Sequence, residues 1–220
     1  MISEIRLSGV GVRVGGRVIL DHVDLTIRAG ESLAITGPSG SGKTTLLLLA
    51  GGLQDAAEGQ VLLDGRPMAR DPDTRKRFGV VLQNHGLVAV LTAQENVALP
   101  LQARGLPAVE VERISLDALA SVGLHPQADA LVQNLSGGQQ QRVAVARALA
   151  GSPEVILADE PTSELVAEQR RAILDTLLRQ SREGRVLVIA THDPEVVEAC
   201  DRSVQLIDGR QVEPGPPLSR

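Results

Sequence analysis

This sequence predicts an α/β fold: a mostly parallel sheet core, N-terminal antiparallel β strands and an inserted helical lobe. Three observations carry the prediction. Short apolar runs recur along the 220 residues, helical patterns separate them, and the stretch from about 84 to 150 lacks strand signals. Strands alternating with helices favour parallel pairing, because each crossover helix covers a face of the sheet.

The elements follow in order. Val23, Leu25 and Ile27 alternate with Asp24 and Thr26, as a half-buried strand does, and Ala29-Gly30 turns the chain. The apolar run 32–36 reads as a strand buried on both faces, and further runs lie at 78–82, 155–158, 186–190 and 204–207. Helical patterns occupy 44–50, 108–122, 139–150, 166–182 and 194–199. The expected organisation is one domain, its core formed by about 1–83 and 152–220 and its helical lobe by about 84–151. The tail at Pro214-Gly215-Pro216-Pro217 is expected to be loose.

Composition narrows the function classes. Hydrophobic residues at 43% and charged residues at 22% are an ordinary globular balance, but there is one Phe and neither Trp nor Tyr. The core must therefore be built from Leu, Val, Ile and Ala. A net charge of −5 gives no electrostatic footprint for nucleic acid. Cys200 has no second cysteine to pair with and reads as a small helix residue rather than a catalytic thiol. The first ten residues, with Glu4 and Arg6, do not form a signal peptide. The richest apolar stretch, 46–53, is broken by Gly51 and Gly52, well short of the roughly 18 residues a membrane span requires. A cytosolic chain is expected, unless partners hold it at a membrane.

The chemistry begins at Gly37-Pro38-Ser39-Gly40-Ser41-Gly42-Lys43-Thr44, which fits G-x-x-x-x-G-K-[ST] between a buried strand and a helix. Glycines let consecutive backbone N–H groups turn around an anion, and the helix that follows aims its positive end at the same point. Lys43 brings full charge to the outer phosphates, the Thr44 hydroxyl is a hard ligand for Mg²⁺, and Thr45 extends the binding segment. The strand at 155–158 then ends in Asp159 and Glu160, acids at the carboxyl edge of a parallel sheet, where ligands bind. Asp159 suits the Mg²⁺ shell. Glu160 suits orientation and deprotonation of an attacking water.

Ser136 and Gln139 have capping-box spacing at the head of the helix at 139–150, with Gly137 and Gly138 between them, which makes a second anion-binding N-terminus. Leu135-Ser136-Gly137-Gly138-Gln139 is also the segment that names a family. The chain resembles an ABC transporter ATPase from end to end, a P-loop NTPase with an inserted signature lobe.

The resemblance implies more than the residues do alone. Gln83 matches the glutamine that senses Mg²⁺ and contacts the membrane partner, and His192 matches the switch histidine on the γ-phosphate. ATP is then expected between the loop at Gly37 of one subunit and Ser136, Gly137, Gly138 and Gln139 of another, so a homodimer or a paired ATPase subunit is implied, with membrane-spanning transporter subunits as partners. Such a chain sits on the inner face of the cell membrane through those partners. The stretch 84–101 is similar to the lipoprotein-releasing and macrolide-exporting subfamily, as is the short length. His22, His85 and His125 lack a second ligand at metal spacing and read as surface or loop residues.

Two positions depart from the family pattern. Val166 follows Pro161-Thr162-Ser163-Glu164-Leu165 where the family places Asp, an acid that helps couple the two half-sites. The adenine-stacking aromatic falls at Val14, flanked by Arg13 and Arg17. Base stacking on an aromatic is worth about 1–3 kcal/mol in nucleic-acid binders, so weaker ATP capture is expected. The leading expectation is an ATPase driving export or release of a substrate. The alternative is a slow ABC ATPase acting as an ATP-gated signalling or assembly module at the membrane. Repair and ribosome-associated ABC ATPases usually carry a long coiled coil or a second ATPase domain, and neither is found in these residues.

Overall fold

A computed structural model describes residues 1–69 and 71–212, so the expectation for Pro214 to Pro217 lies outside the described residues. The chain forms two compact units, Met1–Asp71 with the chain from Leu178 onward, and Pro72–Leu177.

The first unit opens with β1 (Glu4–Val14) and β2 (Arg17–Arg28), an antiparallel hairpin. Its two-residue loop is Gly15-Gly16, with φ of 55° and 80°, the double left-handed geometry of a turn that matches strand twist. β4 (Glu58–Leu63) pairs with the other side of β1, and β5 (Arg66–Pro67) extends the order to β2-β1-β4-β5. The half-buried strand expected at 23–27 is therefore the end of a 12-residue one.

A second set of strands runs β10-β9-β3-β8: β3 (Ser32–Thr36), β8 (Val186–Ala190), β9 (Arg202–Ile207) and β10 (Arg210–Val212). β3 is parallel to β8 and β9, while β10 closes the edge antiparallel to β9. Every residue of β8 and all but the last of β3 are buried, as their unbroken apolar runs require. α1 (Lys43–Ala50) buries Leu46, Leu47 and Leu49, each worth roughly 1.5–3 kcal/mol of transfer free energy. α7 (Pro194–Ala199) is capped by Asp193, whose side chain accepts from Glu195 N–H. The Asp201 carboxylate stitches β3 to β9, accepting from the Ser32 hydroxyl at 2.6 Å and the Ser32 N–H at 2.9 Å. Those bonds hold its pKa below the usual carboxylate value. Burial and the Asp201 charge push the neighbouring Cys200 thiol up to about 11, so it is protonated at neutral pH.

The second unit pairs β6 (Phe78–Val81) with β7 (Val155–Asp159), parallel and in register from Phe78↔Val155 to Val81↔Ala158. The unit also holds α2 (Pro72–Arg75), α3 (Ala93–Ala103), α4 (Ala108–Ser121), α5 (Gly137–Ala150) and the part of α6 (Ala167–Arg182) up to Leu177. α3 begins with a full capping box, Thr92 with Glu95. Phe78, the one aromatic residue, is half-buried beside a cavity of about 130 Å³ lined in part by Pro100, Arg104 and Arg147. Among the described residues no helix is long and apolar enough to cross a membrane.

Candidate nucleotide site

In the first unit the chain leaves β3 into the loop at Gly37. Gly37 has φ of 139°, and a Cβ there would run into the Leu206 carbonyl and the Ser41 hydroxyl. Gly42, the N-cap of α1, has φ of 102°, and its Cβ would meet the Leu20 side chain at 2.7 Å and the Ile19 carbonyl at 2.9 Å. Both positions are closed to any side chain by conformation and by space. Gly40, also left-handed, Pro38 and Ser39 are exposed on the outside of the turn. The Lys43 ammonium donates to the carbonyls of Gly37 at 2.8 Å and Pro38 at 3.1 Å, folding back over the loop. Thr44 is exposed and Thr45 half-buried in the first turn of α1.

The loop contains one unmet demand. The Ser41 hydroxyl is buried and has no hydrogen-bond partner. A buried polar atom left so costs about 1–3 kcal/mol, which a bound anion offsets. Together with an α1 N-terminus that no side chain caps and the adjacent Lys43 charge, this is the chemistry a phosphate chain needs.

His192 belongs to the same edge. β8 runs parallel to β3, and Thr191 N–H donates to the Ile35 carbonyl at 2.9 Å, so His192 emerges, exposed, beside the strand that feeds the loop. Val14 ends β1 at 60% exposure, paired in register with Arg17. The Arg13 guanidinium reaches Glu58 only at 3.4 Å.

In the second unit the parallel pair β6 and β7 brings Gln83 and the acids to one carboxyl edge. Gln83 is exposed, whereas Asp159 and Glu160 are buried. Glu160 has φ of 48°, a left-handed conformation that costs a residue with a Cβ of order 1–3 kcal/mol and is found where surroundings over-determine it. Gln141 of α5 supplies part of that determination. Its amide donates to the Glu160 carbonyl at 2.6 Å, and its oxygen accepts from Glu164 N–H at 2.9 Å.

The predicted cap at Ser136 is present in full. Ser136 Oγ accepts from Gln139 N–H at 3.3 Å, and the Gln139 side chain accepts from Ser136 N–H at 2.8 Å. The helix nevertheless starts at Gly137 rather than Gln139, because the capping box makes Gly137 and Gly138 its first turn. His85 is a loop residue, as expected, and a buried one, with φ of 61° and Nε2 at 3.7 Å from the Glu164 carboxylate. Arg147 of α5 donates to the carbonyls of His85 at 2.8 Å and Gly86 at 2.6 Å, and burial lowers its pKa. Asn96 bridges Val88 through both its amide groups. Gln141, Arg147 and Asn96 are supports that motif reading did not select.

A family profile described as ABC transporter matches residues 20–163, most of the chain. The chain belongs to the ABC transporter ATPase family. It is 45% identical over 226 residues to the lipoprotein-releasing system ATP-binding protein LolD of Anaeromyxobacter dehalogenans, across 96% of this chain and 94% of the relative. It is 41% identical over 202 residues to the uncharacterized ABC transporter ATP-binding protein YbbA of Escherichia coli K12, covering 89% of each. The methionine import ATP-binding protein MetN of Caulobacter vibrioides is 42% identical over 208 residues, 91% of this chain but 63% of that protein. The chain thus spans less than two thirds of the methionine-import relatives it matches. Among solved structures, the ATP-binding cassette MJ0796, a dimer bound to ADP and Pi in a post-hydrolysis state, superposes with a TM-score of 0.89 at 37% identity, over 95% of this chain and 97% of that one. This ABC ATPase family member has the α/β cassette fold of that structure.

Proposed function

We propose that this ABC ATPase powers export or release of a substrate through membrane-spanning partner subunits, working as a homodimer or with a paired ATPase. The observation that carries the reading is the anion cradle at Gly37 to Thr45, with its crowded glycines, Lys43 ammonium and orphaned Ser41 hydroxyl. Lys43 binds the outer phosphates. Thr44 in the first unit, and Gln83 and Asp159 in the second, carry hard oxygen donors of the kind that would hold Mg²⁺, which would neutralise charge on the phosphates. Glu160 orients the attacking water and takes its proton, and His192 contacts the γ-phosphate. Ser136, Gly137, Gly138 and Gln139 close on the nucleotide from the other subunit, and Val14 faces the base. Release or export is preferred to import because the lipoprotein-releasing relative is matched over nearly its whole length, the methionine-import one over 63%. The protein then works at the inner face of the membrane, held by its partners.

One experiment with two variants tests the site. Lys43→Ala removes ATP binding. Glu160→Gln keeps binding, loses hydrolysis and accumulates as a nucleotide-bound dimer on sizing chromatography. Native turnover in Glu160→Gln, or native ATP affinity in Lys43→Ala, refutes it. A second reading, a slow ATPase that signals through assembly, draws on Val166, which stands 65% exposed where the family has an acid.

A further inference from the structure

We propose that Gln141 is a positioning residue for hydrolysis, holding Glu160 in the conformation from which it acts. The inference rests on the reading of Glu160 as the base. Gln141 is 1% exposed, and its carboxamide is used at both ends. It donates at 2.6 Å to the carbonyl of Glu160, and it accepts at 2.9 Å from the N–H of Glu164, four residues on. A single rigid amide thereby fixes both ends of the turn that leaves β7. The amide cannot be flipped without facing donor to donor and acceptor to acceptor, so its orientation is set by the backbone it meets.

Glu160 needs such a hold. Its φ of 48° is unfavourable for a residue with a Cβ, and relaxation to a right-handed or extended conformation would swing the carboxylate. The Ser163 hydroxyl at 3.1 Å and the Ser163 N–H at 3.3 Å also donate to the Glu160 carbonyl, but they belong to the same turn and would move with it. Gln141 comes from α5, whose first turn is the Ser136 capping box, so the glutamine ties the conformation of the base to the helix bearing the signature residues. Catalytic geometry is unforgiving. A displacement near 1 Å costs on the order of 100-fold in rate.

Two variants of the full chain separate this role from a merely structural one. Gln141→Leu, which neither donates nor accepts, is expected to lower kcat on the order of 100-fold while ATP affinity is unchanged. Gln141→Glu keeps the shape and the acceptor but donates only when protonated, and burial raises the pH at which it does so. Its rate relative to the native chain should therefore fall at alkaline pH and recover as pH is lowered. Native kcat in Gln141→Leu, loss of ATP affinity equal to the loss of rate, or a pH-independent ratio for Gln141→Glu overturns the inference. If Glu160→Gln itself turns over normally, the reading of the base fails instead, and that result is distinguishable because it does not involve Gln141.

Discussion

In the proposed site, Val14 is the residue that faces the nucleotide base. The residue is an exposed aliphatic at the end of β1, and the chain has no Tyr or Trp to replace a stacking ring. Arg17 lies across the hairpin in register with it, and the Arg13 guanidinium donates to Glu58 twice, from Nε and Nη2, each at 3.4 Å; a planar guanidinium can also stack on a purine. Neither an aliphatic surface nor a stacked guanidinium reads the base edge. ATP and GTP should therefore bind with similar affinity, and Val14→Tyr should tighten both by up to about 1–3 kcal/mol. Equilibrium titration with each nucleotide checks this. A native preference for ATP of a hundredfold, or no gain from the tyrosine, would place the base elsewhere.

At the scale of elements, the Ser32–Asp201 stitch between β3 and β9 makes a pH-dependent contribution. Asp201 has a lowered folded pKa, chiefly from the Ser32 bonds, so its stabilisation is present above the unfolded value near 3.9 and is lost as pH falls through the folded value. Asp201→Asn should cost about 1 kcal/mol at neutral pH, a low figure because the carboxylate is exposed, and the gap to the native chain should close in acid. Thermal unfolding across pH measures it. An undiminished gap at low pH would assign the effect to packing.

The neighbouring strands also show what the sequence makes legible. The runs at β3 and β8 coincide with the observed strands because doubly buried strands are written as unbroken apolar segments. The first half of the β1–β2 hairpin is less legible, since shifts of register between Leu7, Val10 and Val12 break its alternation. α3 was hidden by Pro100 in its interior, despite the Thr92 and Glu95 cap. Gln141 and Arg147 could not be picked out at all. Their partners are backbone carbonyls and N–H groups of remote turns, which acquire addresses only when the chain folds.

At the scale of the whole molecule, the proposed dimer requires coupling between its two nucleotide sites. Val166 stands 65% exposed after the turn that Gln141 holds, where the family places an acid. Val166→Asp should raise the ATPase rate or the Hill coefficient for ATP, both read from turnover against nucleotide concentration. No change in either would mean that coupling passes through another residue. The same molecule has an unusual spectroscopic silence. With Phe78 as its lone phenyl ring and neither Trp nor Tyr, folded protein contributes almost nothing to the near-ultraviolet absorbance or the intrinsic fluorescence of a solution. Bound adenine can thus be counted directly from the spectrum of the complex, without a label. A single tryptophan placed anywhere in the chain would report its own surroundings against a dark background.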